Sequence, residues 1–330
     1  MKAEQPLVAV VEKQDVDTVI AAVKESGTYD SNRHIREADA STLEIPITSR
    51  NAPVDRVTLQ DNPPWRVRDL EDYLRVRGAS DAVIEAAPAS WAVIGDLILV
   101  TRPSEYGTEI GEALLELHNN ATTVLATDQI VGEHRQPTVR VIAGKPQTRT
   151  VHREHGTAYE LDLSEVMFSP GNVRERTRMG DRVSPEETVF DMFAGIGYFT
   201  LPMARAGATV IATERNPASF RYLQRNLARN GVRSVVSAYR MDCRALRPRV
   251  DRVVMGHFDA YRYLDTAIAA VRPGGTIHLH GLGVTDSPWQ ELREQLVRAA
   301  GERPVQITDK RVVKSHSPGL DHIVLDATIG

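Results

Sequence analysis

Val189 to Thr200 reads VFDMFAGIGYFT. The apolar, β-prone run Thr188–Phe190 predicts a strand that stops at Asp191, and a helix is expected from about Tyr198. Between them lie Gly195 and Gly197. In a doubly wound α/β fold the carboxyl end of the first strand meets the ligand. Glycine there lets the backbone turn tightly and approach that ligand closely. The stretch lacks the third glycine of a dinucleotide fingerprint, and the chain has no Gly-x-x-x-x-Gly-Lys phosphate loop. Both absences argue against a nicotinamide enzyme and against an ATPase.

Downstream, strand and helix patterns alternate: TVIATE, ASFRYLQRNLARNG, VVSAYRMD, DRVVMG, DTAIAAVRPGG, TIHLHGLG, PWQELREQLVRAAG, VQITDKRVVKS and DHIVLDATI. Regular β–α alternation predicts a parallel sheet with helices on both faces. The second strand ends at Glu214, which suits the two ribose hydroxyls of an adenosine. The third ends at Asp242, placed to meet the adenine amino group, with the Cys243 backbone donating to a ring nitrogen. Asp191 suits a cationic or hydroxyl group of the same ligand. Acids at strand ends also cap helices, but three at three consecutive strands favour the ligand.

Upstream the pattern is different. LVAVVEK, VDTVIAAVKESG and TLEIPIT predict a small α/β domain over residues 1–60, and the breaker cluster Asp61–Trp65 is a candidate linker. Residues 61–164 predict an α+β region. It has a short helix in DLEDYLRVRG, a strand pair or a bulged strand bent at Gly95 in AVIGDLILV, an amphipathic helix in EIGEALLELH, and strands in TTVLATD and PTVRVIAG. TRTVHREHGTAYELDL alternates like exposed β-structure. The α/β domain is expected over 165–330.

The chain of 330 residues is 42% hydrophobic and 25% charged, an ordinary globular composition. The start lacks the layout of a secretion signal and no apolar run reaches the roughly 20 residues of a membrane helix, so a cytoplasmic protein is expected. One cysteine excludes an internal disulfide and a multi-cysteine metal site. Net charge is −4, yet Arg135, Arg140, Lys145, Arg149 and Arg153 form a local basic stripe, and Arg174, Arg176, Arg178 and Arg182 a second cluster. Such stripes fit a polyanion partner; a solvated strand face fits equally well.

DMFAGIGYFTLP, ATERNPASFRYLQRN and MDC together resemble a class I S-adenosylmethionine-dependent transferase with a Rossmann-like sheet. FSPGNVRERTRM (Phe168–Met179) and VKSHSPGLDHIVLD (Val313–Asp326) narrow the resemblance to two related tRNA-modifying families. These are the tRNA guanine-N1 methyltransferases and the wybutosine-pathway tRNA(Phe) aminocarboxypropyltransferases. The methyltransferases carry an Asn-x-Pro loop after the fourth strand; here DRVVMGHFDAYRYL runs into Met255-Gly256-His257 instead. That resembles the aminocarboxypropyltransferases.

This resemblance implies S-adenosylmethionine as co-substrate, bound by Ser169, Arg176, Glu214, Asp242 and Cys243, with Asp191 and Gly195 in the loop that wraps it. Arg176 is expected to pair with a carboxylate; a surface pairing with Glu175 or Asp181 is the alternative. The implied reaction moves the 3-amino-3-carboxypropyl group to carbon 7 of 4-demethylwyosine beside the anticodon of tRNA(Phe), releasing methylthioadenosine. The alternative is guanine-N1 methylation at the same anticodon-loop position. No metal, membrane or obligate protein partner is expected. His257 and Asp259, with Tyr261, stand nearest the reacting base in sequence and are general-base candidates; a turn histidine that caps backbone is an equal reading of His257. Phe193, Tyr198 and Phe258 are stacking candidates. Gly256 is expected to leave room beside the cofactor. His278 and His280 share one strand face, where packing or base stacking is favoured over a metal.

Overall fold

A computed structural model describes residues 6–61, 63–101, 103–131 and 136–330, with backbone alone at 128–131 and 136–137. Two compact units emerge, Met1–Ala87 with Ser104–Leu117, and Pro88–Pro103 with His118–Gly330.

In the first unit, strands β1 (Leu7–Glu12), β2 (Arg36–Glu37), β3 (Thr42–Ile47) and β4 (Val57–Leu59) form an antiparallel sheet in the order β2-β3-β1-β4. Helix α1 (Val16–Glu25) ends at Gly27, whose φ of 69° reverses the chain. Ala9, Val23, Ile45 and Ile47 make the core. Arg33 is fully buried, and its guanidinium donates to Asp30, Gln60 and the carbonyls of Leu7 and Ile47. Its charge is therefore spent inside the fold. Trp65, from the breaker cluster, bridges to Arg33 and stacks on it. Helices α2 (Leu70–Val76), α3 (Asp81–Glu85) and α4 (Gly107–Leu117) complete the unit.

The second unit opens with a sheet of β5 (Ala92–Ile94), β6 (Leu97–Thr101), β7 (Thr123–Val131) and β8 (Gln136–Gly144), in sequence order. The β5–β6 hairpin turns at Gly95, where φ is 60°. Strands β9 (Arg149–Glu154) and β10 (Thr157–Asp162) form a second hairpin. The alternation in this segment predicts exposed β-structure, but β10 is buried from Thr157 to Leu161. In β10 the buried charged residue, Glu160, is satisfied internally. Glu160 takes Arg149, Arg225 and Arg229 as partners.

After α5 (Val173–Arg182) come β11 (Thr188–Asp191), α6 (Thr200–Arg205), β12 (Thr209–Thr213), α7 (Pro217–Arg229), β13 (Val236–Tyr239), β14 (Val250–Met255), α8 (Leu264–Ala270), β15 (Val271–Val284), α9 (Gln290–Ala300), β16 (Val305–Ser317) and β17 (Leu320–Ile329). The seven-stranded sheet has the order β13-β12-β11-β14-β15-β17-β16. Strands β11 to β15 are parallel, as the alternation predicts. The last two depart from it: β17 runs antiparallel to both β15 and β16. Only the turn Pro318-Gly319 separates β16 from β17, and a turn that short joins antiparallel strands only.

Helix α7 locks the hairpin to the sheet. Asn216 caps it, accepting from Ala218 N at 2.9 Å, and Pro217 occupies its first turn. Tyr222, Leu223, Asn226 and Leu227 form its buried face. Asn226 accepts from Glu160 N at 2.7 Å and donates to the carbonyls of Glu160 and Ile196. One side chain thus joins the helix to β10 and to the glycine loop.

Candidate active site

Strand order reverses between β11 and β14, and a crevice opens there at the carboxyl edge, where ligands bind in open α/β sheets. The glycine loop forms its floor. Gly195 has φ of 57°, and a Cβ on it would sit 2.5 Å from the Tyr198 ring. Its N–H donates to Glu214 Oε2 at 2.8 Å, while Glu214 Oε1 accepts from Asn216 N at 2.7 Å. A carboxylate has about four acceptor sites, so Glu214 keeps capacity for two hydroxyls. Burial raises its pKa.

Asp191 is fully buried and accepts from Thr200 Oγ1 at 2.7 Å; burial pushes its pKa up to about 6. It does not line the crevice but ties the start of the loop to α6. Asp242 caps the turn after β13 and holds Arg244 in a two-point pair at 2.9 and 2.8 Å, which lowers its pKa. Together Phe193, Gly195, Glu214, Asp242, Cys243 and Tyr263 surround a cavity of about 200 Å³. The Cys243 thiol is buried and pushed up to about 12, so at neutral pH it is not a nucleophile.

A second cavity, of about 400 Å³, adjoins the first across shared walls of Tyr198, Asn216, Ser219, Gly256 and His257. Ser169, Arg176, Lys314 and His316 give it cationic and polar walls, and no carboxylate lines it among the described residues. Arg176 lies buried on α5, where Glu154 takes its Nε and Nη2 at 2.7 and 2.6 Å, and Nη1 donates to the Ser169 carbonyl. The carboxylate beside Arg176 is thus Glu154, rather than Glu175 or Asp181. Lys314 Nζ donates to Ser169 Oγ at 2.7 Å. Sequence reasoning missed Glu154, Lys314 and His322 as site residues. The last two lie within the Val313–Asp326 motif, which was the available signal; Glu154 had none.

β14 ends where the cavities meet. Met255 O accepts from His257 N at 3.0 Å, and His257 Nδ1 accepts from Asp259 N at 3.1 Å. His257 therefore caps the turn, its ring packed on Phe193 at 5.4 Å, while one face borders both cavities. Asp259 is exposed and lines neither cavity. The space left by Gly256 is taken by protein: a Cβ there would sit 2.5 Å from the Phe199 ring. Gly256 still borders both cavities, and Phe199 fills the position a side chain there would need.

His278 is a strut. Its Nδ1 meets Asp326 at 2.7 Å and its Nε2 meets Arg252 at 2.6 Å, away from the cavities. His280 does line the second cavity, beside His322 and Phe199. No group of three His, Cys, Asp or Glu is arranged to hold a metal among the described residues.

The second basic cluster splits by direction. Arg176 and Arg178 turn inward, Arg178 pairing with Asp326, Glu175 and Asp309, while Arg174 and Arg182 are exposed. In the first stripe Arg149 pairs with Glu160, while Arg140, Lys145 and Arg153 are exposed. Arg135 lies outside the described residues.

The strand order, the glycine loop and the acid after β12 define the fold as that of class I S-adenosylmethionine-dependent transferases. Residues 150–308 match the TRM5/TYW2 methyltransferase domain, and residues 70–148 match the TYW2 N-terminal domain. The chain belongs to the TRM5/TYW2 family. It is 35% identical over 258 residues to the tRNA(Phe) (4-demethylwyosine(37)-C(7)) aminocarboxypropyltransferase of Pyrococcus horikoshii, covering 76% of this chain and 92% of that protein. It is also 35% identical over 248 residues to the tRNA (guanine(37)-N(1))-methyltransferase Trm5b of Pyrococcus abyssi, covering 72% and 74%. The crystal structure of P. horikoshii TYW2 in complex with MeSAdo superposes with a TM-score of 0.68 at 32% identity, over 79% of this chain and 97% of that one. No helix among the described residues is long and apolar enough to cross a membrane.

Proposed function

We propose that this chain transfers the 3-amino-3-carboxypropyl group of S-adenosylmethionine to carbon 7 of 4-demethylwyosine at position 37 of tRNA(Phe), beside the anticodon, leaving methylthioadenosine. The observation that carries this reading is the end of β14. Met255-Gly256-His257 stands there in place of Asn-x-Pro, at the junction of the two cavities.

The smaller cavity suits adenosine. Glu214 has free acceptor capacity for the ribose hydroxyls, and Asp242 with the Cys243 backbone suits the adenine edge. The larger cavity suits the methionine arm and the acceptor base. Its Lys314 ammonium favours a carboxylate, and Phe258 offers a ring for the base to stack on. When bound, the sulfonium supplies activated carbons and a good leaving group. The residues of the chain then need only place one carbon in line with the base, and orientation alone supplies up to about 7–11 kcal/mol. That accounts for a crevice without a nucleophile. Exposed Arg140, Lys145, Arg153, Arg174 and Arg182 are the phosphate contacts in this reading, which places the enzyme in the cytoplasm with no obligate protein partner.

Guanine-N1 methylation at the same position is the second reading, favoured by the equal identity to Trm5b. The sulfur product separates the two. Incubation with S-adenosylmethionine labelled in its carboxyl carbon and with tRNA carrying 4-demethylwyosine is expected to label the tRNA and release methylthioadenosine. In a parallel incubation with tRNA carrying guanine 37, release of S-adenosylhomocysteine with label entering only from the methyl group would establish the methyltransferase instead.

A further inference from the structure

His280 on β15 and His322 on β17 face each other across adjacent strands, His280 Nδ1 to His322 Nε2 at 3.1 Å. Both line the larger cavity. Both are 2% exposed, and the outer nitrogen of each, His280 Nε2 and His322 Nδ1, is buried without a hydrogen-bond partner among the described residues. A buried polar atom left without a partner is costly, so two at one cavity wall are a feature that requires explanation. The rings sit between Phe199 and Phe258. Whichever ring donates in the shared bond, one outer nitrogen is a bare acceptor and the other carries a proton.

We propose that the His280–His322 pair is the proton acceptor of the transfer reaction. This inference rests on the aminocarboxypropyl reading above. In that reaction the carbon 7 electron pair of the base forms the new carbon–carbon bond. The carbon–sulfur bond breaks, with its electrons going to sulfur. The base is left cationic, with carbon 7 carrying both its original hydrogen and the new substituent. The bare imidazole nitrogen takes that hydrogen as a proton, and the C–H electrons restore the aromatic ring. The proton shared between the two rings shifts across, and the second outer nitrogen releases its own proton. A carbon acid of this kind is strong, so a weak base suffices; what the site must supply is an uncharged nitrogen at neutral pH. Burial keeps both rings neutral, with the nearby Lys314 ammonium adding to the effect at His322.

The wild-type enzyme should lose the proton quickly after the bond forms, so tRNA deuterated at carbon 7 should react with an isotope effect near unity. His280→Asn keeps a polar atom where Nδ1 contacts His322 and removes the outer nitrogen; His322→Gln does the converse. Both variants should fold and still bind S-adenosylmethionine. At least one should lose about 100-fold or more in turnover and show a deuterium isotope effect well above unity. Unchanged turnover in both, or a loss with the isotope effect still near unity, would overturn the proton-acceptor role and leave the aminocarboxypropyl reading standing. If wild-type enzyme releases S-adenosylhomocysteine, both fall together.

Discussion

Glu214 carries the clearest test at the level of single residues. Its two carboxylate oxygens each accept a backbone N–H from the loops they join. Glu214→Ala should weaken S-adenosylmethionine binding by about 1–3 kcal/mol, read by calorimetry; an unchanged affinity would remove it from the ribose site. Cys243→Ala should leave turnover within about twofold, because a thiol held near 12 does no chemistry at neutral pH. His322 adds a pH dependence. Burial lowers its pKa from 6.5 to about 4. Between those values the unfolded chain binds the proton and the folded chain does not, so stability rises with pH across that window. Asp191, raised to about 6, acts in the opposite sense between about 4 and 6. The comparison between proteins isolates His322: denaturant titrations at pH 4.5 and 7 should show a smaller acid loss in His322→Gln than in wild type, by roughly 2–3 kcal/mol. Equal losses in the two proteins would contradict the assignment.

At the level of elements, the site depends on how α7, β10 and the glycine loop are joined. Asn226 is wholly buried and makes three hydrogen bonds that no neighbour can replace. Asn226→Ala should cost at least about 2 kcal/mol in denaturant melts, since it strands buried peptide groups of Glu160 and Ile196. Periodicity makes the helix and its apolar face legible in the sequence, and the parallel strands β11 to β15 are legible for the same reason. What periodicity does not carry is the destination of polar side chains. Glu160 reads as a surface residue of an exposed strand, yet it lies buried beneath three arginines drawn from two elements. The antiparallel reversal of β17 was hidden because an isolated apolar run looks the same in either direction.

Across the whole molecule, the charge pattern matters more than its sum. The net charge of −4 coexists with outward arginines and lysines on the second unit. Replacing Lys145 and Arg153 with alanine should weaken tRNA binding and reduce the slope of log K against log salt by about 0.7–0.9 for each phosphate that is no longer neutralised. S-adenosylmethionine affinity should not change. An unaltered slope would move the RNA path elsewhere on the protein.

By itself, the sequence determined the class of this protein. Local signals suffice for that: a strand, two glycines and a helix in VFDMFAGIGYFT, then acids at the ends of the next two strands. Each is written within a few residues, where backbone geometry leaves little choice. The missing Asn-x-Pro after β14 is equally local. Only the tertiary structure decided what each side chain faces. It turned Asp191 beneath the loop, gave Arg176 to Glu154, filled the space beside Gly256 with Phe199, left Asp259 outside the cavities and brought His280 against His322. Those partners lie on different elements, most of them distant along the chain, and what joins them is strand register and helix packing rather than any motif that reads along the sequence.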